Sequence, residues 1–180
     1  MKIIFFTYVL IFATKFGYSQ TVANNNVGLS LTLPEIALLD IEPNNSVVSI
    51  SLPTPSEAGL LNKKAENPNA KWLNYTSAVK SGKYRNVTVQ IEYGNVPAGT
   101  RLSMMASSGV GGRGVLGFSN GQITLSSTPQ KIINLIGGAY TGNGANVGHA
   151  LSYYLEVIQV GILDYETSGT LGLVFTLIDN

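Results

Sequence analysis

The stretch Asn86-Val87-Thr88-Val89-Gln90-Ile91-Glu92-Tyr93 decides the fold class. Its odd-numbered residues are apolar and its even-numbered ones polar. Successive side chains of a strand point to opposite faces, so this alternation makes one dry face and one wet face. The same reading recurs downstream, where Leu151, Tyr153, Leu155 and Val157 alternate with Ser152, Tyr154 and Glu156. Near the end, Leu171, Leu173, Phe175 and Leu177 stand opposite Gly172, Val174, Thr176 and Ile178. Both faces of that segment are largely apolar, which predicts a strand lying between two others or covered on both sides. Weaker alternation predicts strands at 27–33, 36–41, 47–52, 72–77, 101–106, 122–126 and 131–136.

Between these runs come Pro34, Pro43-Asn44-Asn45, Pro53-Thr54-Pro55, Asn67-Pro68-Asn69, Gly94-Asn95, Asn120-Gly121 and Gly142-Asn143-Gly144. Proline presets φ, and glycine and asparagine tolerate positive φ, so each cluster reads as a turn. Only residues 56–66 have the composition for a short helix, and Gly59 weakens it. About ten short strands with frequent turn signals predict an all-β protein, an antiparallel β-sandwich of Ig-like or pilin-like kind. No linker or fixed-period repeat divides the chain, so residues 20–180 are expected to form one domain. The glycine-rich stretch 107–117 is expected to be a loop across one end of the sandwich.

Residues 1–19 read as an address. Lys2 precedes an apolar run over 3–13 broken only by Thr7, and Gly17 and Ser19 occupy the small-residue positions before a cut at Gln20. This is a signal-peptide pattern. Lys15 ends the apolar run short of the roughly 20 residues a membrane-spanning helix needs. Cleavage removes Lys2 and Lys15 and leaves nine basic against ten acidic residues. The expected location is therefore secreted, periplasmic or at the cell surface, with no transmembrane segment in the mature chain. The absence of cysteine removes disulfides and a lipidation site, and leans toward a bacterial source. Three Asn-x-Ser/Thr sequons, at Asn44, Asn74 and Asn86, are read as chance in a chain rich in these residues.

Composition excludes several activities. Charged residues make up 12% of the chain, about half the usual roughly 25%, and the formal net charge is +1. That balance argues against nucleic acid, whose affinity depends on Lys and Arg neutralising phosphates. Gly109-Val110-Gly111-Gly112-Arg113-Gly114 matches G-x-G-x-x-G, but no helix can follow it to meet a pyrophosphate. No cofactor is expected. His149 is the only histidine, there is no cysteine, and zinc takes three or four such ligands. No G-x-S-x-G elbow presents a serine nucleophile. The i, i+2 carboxylate pairs Asp40/Glu42 and Asp164/Glu166 share a strand face but adjoin turns, where solvated edges are the default. No catalytic residue is therefore assigned. Trp72, Tyr75, Tyr140 and Tyr154 remain as a candidate ligand platform, with Trp72 more a core anchor than a contact.

The segments Trp72-Leu73-Asn74-Tyr75-Thr76-Ser77, Val87-Thr88-Val89-Gln90-Ile91 and Val96-Pro97-Ala98-Gly99-Thr100-Arg101-Leu102 carry a resemblance. So do Tyr140-Thr141-Gly142-Asn143-Gly144, Gly148-His149-Ala150-Leu151-Ser152-Tyr153 and the closing stretch 170–179. Together they resemble uncharacterised secreted β-sandwich proteins of Bacteroidetes-type bacteria, similar in architecture to pilin-like and spore-coat-U-like domains. The chain departs from many pilins in having no cysteine pair and no aromatic residue beside its terminal Asp179-Asn180. The resemblance implies a non-enzymatic structural or adhesive role at the cell surface, as in a fimbria-like subunit, and assigns no functional residue. The alternative is an extracellular carbohydrate-binding module or carbohydrate-active enzyme. Expected partners are other surface proteins, or copies of the chain itself joined by strand pairing. For the last strand, completion within its own sheet is favoured, with 27–33 as its neighbour.

Overall fold

The computed structural model describes residues 27–44, 46–61, 63–163 and 169–180. It is an all-β protein of two antiparallel sheets, not closed into a barrel, packed as a β-sandwich. The first sheet contains β1 (Ile36–Glu42), β2 (Lys64–Ala78), β4 (Thr100–Ala106), β5 (Arg113–Gly114), β7 (Gln122–Thr124), β9 (Ala139–Tyr140) and β10 (His149–Val157). Its order is β5-β9-β2-β10-β4-β7, with β1 also paired to β2. The second contains β3 (Arg85–Tyr93), β6 (Phe118–Ser119), β8 (Gln130–Ile136) and β11 (Gly172–Asp179), in the order β11-β3-β8-β6. The only helical turn described is 3-10, at Val160–Ile162. No described helix is long and apolar enough to cross a membrane.

Alternation places the core as the sequence implies. Leu73 and Tyr75 of β2, Val87 and Val89 of β3, Met104 of β4, Ile132, Ile133 and Ile136 of β8, and Leu151 and Tyr153 of β10 are buried between the sheets. Leu173, Phe175 and Leu177 of β11 pack against this cluster but stay partly exposed.

Four expectations need correction. β2 runs straight through Asn67-Pro68-Asn69 and takes in the end of the expected helix at 56–66. Its pairing with β10 slips between Leu151 and Tyr153, Asn69 adopts φ 52°, and the Asn69 amide donates to Ser152 Oγ at 3.1 Å. A bulge is where a strand can hold a proline, which has no N–H to give to the ladder. Residues 47–52 form no strand, although Val48 and Ile50 still point inward against the core. Residues 27–33 form no strand either, and Val27, Leu29, Leu31 and Leu33 are 78–94% exposed. Finally, β11 is not internal: among the described residues its only strand partner is β3.

Buried polar side chains join the elements. Arg85, whose side chain is 5% exposed, donates from Nη2 to Glu35 at 2.6 Å and from Nε to Asp179 at 2.9 Å. Its Nη1 also donates to the Ile36 and Ala78 carbonyls. One guanidinium thus gathers the start of β1, the end of β2 and the end of β11, across both sheets. The Lys71 ammonium is likewise buried and donates to the Pro43 carbonyl at 2.5 Å and Ser46 Oγ at 2.6 Å. Two of the sequons are structural: Asn74 and Asn86 are buried, Asn74 donating to Gly144 O and Asn86 to Asn180 Oδ1.

Candidate functional site

The only histidine sits at the start of β10, fully buried and stacked on Tyr75 of β2, with ring centroids 5.6 Å apart. The Ser107 carbonyl lies 2.8 Å from Nδ1. A carbonyl only accepts, so Nδ1 carries a proton and donates. On the other side Nε2 lies 2.9 Å from the Tyr75 hydroxyl, which also donates to the Leu116 carbonyl. Burial lowers the His149 pKa, opposed by its backbone hydrogen bonds, and pushes the Tyr75 phenol well above its ordinary range. Both groups are therefore neutral at pH 7. The single hydroxyl hydrogen of Tyr75 faces two acceptors, Nε2 and Leu116 O.

The glycine-rich loop closes this pair from outside. A methyl group at Gly109 would stand 3.1 Å from His149 Nε2. Val110 and Gly148 exchange two backbone hydrogen bonds of 2.8 Å. Gly112 has φ 63°, and a Cβ there would sit 1.9 Å from the Tyr140 carbonyl oxygen, so only glycine lets the loop lie on β9. The G-x-G-x-x-G match is thus a backbone lid over the sheet, followed by strand and turn. Neither ring nitrogen of His149 meets a serine hydroxyl or a carboxylate; Ser107 Oγ instead donates to Ser108 O and accepts from the Ala150 amide.

The four aromatic candidates do not form one platform. Tyr75 is corrected outright, since its ring is inside with His149. Trp72 is half-buried on β2, opposite Glu42 of β1 and Ala150 of β10. Tyr140 is exposed on β9, opposite Thr76 and Arg113. Tyr154 is half-buried on β10, between Glu66 of β2 and Ser103 of β4. It lines a shallow cleft of about 90 Å³ with Lys64, Glu66, Gln122 and Glu156. Glu156 accepts a 2.5 Å hydrogen bond from Arg101 and lies 3.7 Å from Lys64. The Arg101 hydrogen bond holds its carboxyl below the usual range, so Glu156 is ionised at neutral pH and has no proton to give as an acid. A larger hollow of about 210 Å³ lies between Leu38 and Asp40 of β1, Asn74 and Thr76 of β2, and Gly142-Asn143.

Of the carboxylate pairs, Asp164/Glu166 lies outside the described residues. Asp40 accepts from the Ile41 amide at 2.8 Å, and Glu42 takes both the amide and the side chain of Asn44. These are turn-forming contacts. Among the described residues no three His, Asp or Glu side chains gather closely enough to hold a metal ion.

The feature that stands apart is the edge formed by β11. Sheet edges present unpaired N–H and C=O groups, and proteins protect them with short strands, charges, proline or bulges. The other edges here follow that rule. β5, β6 and β7 have two or three residues each, and β1 carries Asp40 and Glu42 and ends at Pro43. β11 has eight residues, a bulge only at its first pair, and no charge before Asp179. Alternation alone could show that the segment is apolar on both faces, but not which edge of the sheet it occupies. Sequence reasoning missed Arg85 and Lys71 as well, since a lone basic residue in a strand gives no sign that carbonyls will converge on it.

Comparison with known proteins defines no class beyond the fold. No protein-family model, no curated protein and no solved structure matches the chain.

Proposed function

We propose that this chain is an exported, non-enzymatic structural or adhesive domain of the cell surface, a fimbria-like subunit that associates through sheet edges. The observation that carries the reading is the long, uncharged, unprotected edge of β11. The leader-like residues 1–19 supply the route. The buried Tyr75–His149 pair supports a structural role, because its polar atoms are spent on backbone carbonyls and on each other. Fractionation of cells producing the full chain, with mass spectrometry of its N-terminus, tests the proposal. The expected product begins at Gln20, as pyroglutamate or free, and is found outside the cytoplasm. Recovery of an intact Met1 form from the cytoplasm overturns it.

A second reading, a carbohydrate-binding module, is favoured by the Tyr154 cleft, where one aromatic ring lies beside Glu66, Gln122 and Lys64. Aromatic faces and fixed polar groups together are what sugar sites use. Saturable binding on a glycan array that Tyr154→Ala abolishes would establish this reading, and a blank array would remove it.

A further inference from the structure

We propose that residues 27–33 are a donor strand, which adds to the free edge of β11 in a second copy of this chain. The inference rests on the surface-assembly reading and names the two elements that carry it. Val27-Gly28-Leu29-Ser30-Leu31-Thr32-Leu33 alternates strictly, with four large apolar residues on one face and Gly, Ser and Thr on the other. In water such a segment has no reason to keep all its apolar side chains out, yet all four are 78–94% exposed and outside any strand. The segment has no charge and no internal proline, so every residue can enter a ladder.

The acceptor has matching properties. β11 offers an eight-residue edge without a gatekeeper charge until Asp179. On its inward face Leu173, Phe175 and Leu177 are only partly covered. One added strand would satisfy the ladder groups pointing away from β3, and its apolar face would cover this margin of the core. Seven residues are close to the length of β11, and the small polar face of the donor suits the solvent side.

Chain connectivity favours a neighbour over the same molecule. β1 begins at the end of the sandwich where β11 finishes, because Arg85 binds Glu35, the Ile36 carbonyl and Asp179 together. To lie along its own β11, the segment would have to reverse direction and cross to the other sheet through Pro34 and Glu35 alone. Stacked sheets lie about 10 Å apart, and the three Cα steps from Leu33 to Ile36 span at most about 11 Å when fully extended. That leaves no chain for a turn while Glu35 stays on Arg85. A neighbouring copy demands no reversal. Donor and acceptor are different surfaces, so the contact is head-to-tail and propagates into rings or open chains.

The chain has no cysteine, so introduced thiols report cleanly. Full chains carrying Ser30→Cys or Thr176→Cys, each with its own tag, are co-expressed and treated with a short bis-maleimide. The expected product is a dimer containing both tags, while a Ser30→Cys/Thr176→Cys chain gives a ladder of higher multiples. Leu29→Asp/Leu31→Asp added to the double variant should cut the ladder about tenfold or more, a change equivalent to 1.4 kcal/mol, with an unchanged circular dichroism spectrum. Three results overturn the proposal: a double variant cross-linked only within one chain, like-with-like dimers as abundant as mixed ones, or a ladder indifferent to the aspartates. None of them bears on where the protein is exported, so failure here is distinct from failure of the surface reading.

Discussion

Two regions of this sandwich use the same alternation of apolar and polar residues and end in different states. Around Leu73, Met104 and Leu151, side chains from several strands meet and exclude water completely. The polar groups caught there, His149 and Tyr75, are hydrogen-bonded inside it. Along the β1–β11 margin the pattern is equally regular, but Leu39, Ile41, Leu173 and Phe175 remain half-buried. The difference shows that period-2 patterning assigns a face to each residue and leaves open how many neighbours that face will receive.

The comparison breaks most visibly in the sealed region. Leu73→Ala should cost about 3–5 kcal/mol, the range for a fully buried leucine that leaves a cavity, read from urea unfolding midpoints at constant m. A loss under about 1 kcal/mol, as for surface substitutions, would show that the interior relaxes freely. Tyr75→Phe keeps the ring and deletes the hydroxyl. It should cost about 1–3 kcal/mol, because buried acceptors at His149 and Leu116 lose their donor. A neutral result would mean water replaces the hydroxyl.

At the open margin, Phe175→Ala should cost the isolated chain about 1–2 kcal/mol, below the 3–5 typical of a fully buried aromatic. In the assembled state the cost should rise toward that range. Equal losses in dilute and in cross-linked protein would show that the margin gains no cover.

The smallest effect is one of pH. The His149 pKa is lowered in the folded state by burial, so the unfolded chain takes up a proton first. Stability is then complete above the ordinary histidine value of about 6.5 and declines as pH falls through it toward the lowered folded value. Urea midpoints between pH 8 and pH 5 should drop for the native chain and stay flat for His149→Gln. Because there is one histidine in the chain, a slope retained in that variant would assign the effect elsewhere.

The strong strands were legible because their signal is local: 86–93, 151–157 and 171–178 correspond to β3, β10 and β11 within a residue or two. The aligned sandwich core followed from them. What could not be read was set by distant partners. Pro68 sits in a strand because a bulge opposite β10 accommodates it, and nothing near Pro68 encodes that bulge. Residues 27–33 have as clear an alternation as β3 and no strand to join among the described residues. Of the aromatic candidates, Tyr75 faces inward for the same reason as Leu73, two residues before it, and the parity of β2 already implied this. Trp72, Tyr140 and Tyr154 lie on three different strands whose order in the sheet no local pattern records.

Arg85 also determines how the domain bears tension. Its guanidinium holds Glu35 and Asp179 at once, so the chain entering β1 and the chain leaving β11 are tethered to one point. A pull applied to these two ends travels through that ionic knot and a few backbone carbonyls, by the shortest route across the molecule. The strands carrying Leu73 and His149 hang to one side of that line and carry little of the load. Arg85→Met would send the force into the sheets themselves, and the domain would stretch where the native chain only strains a hinge.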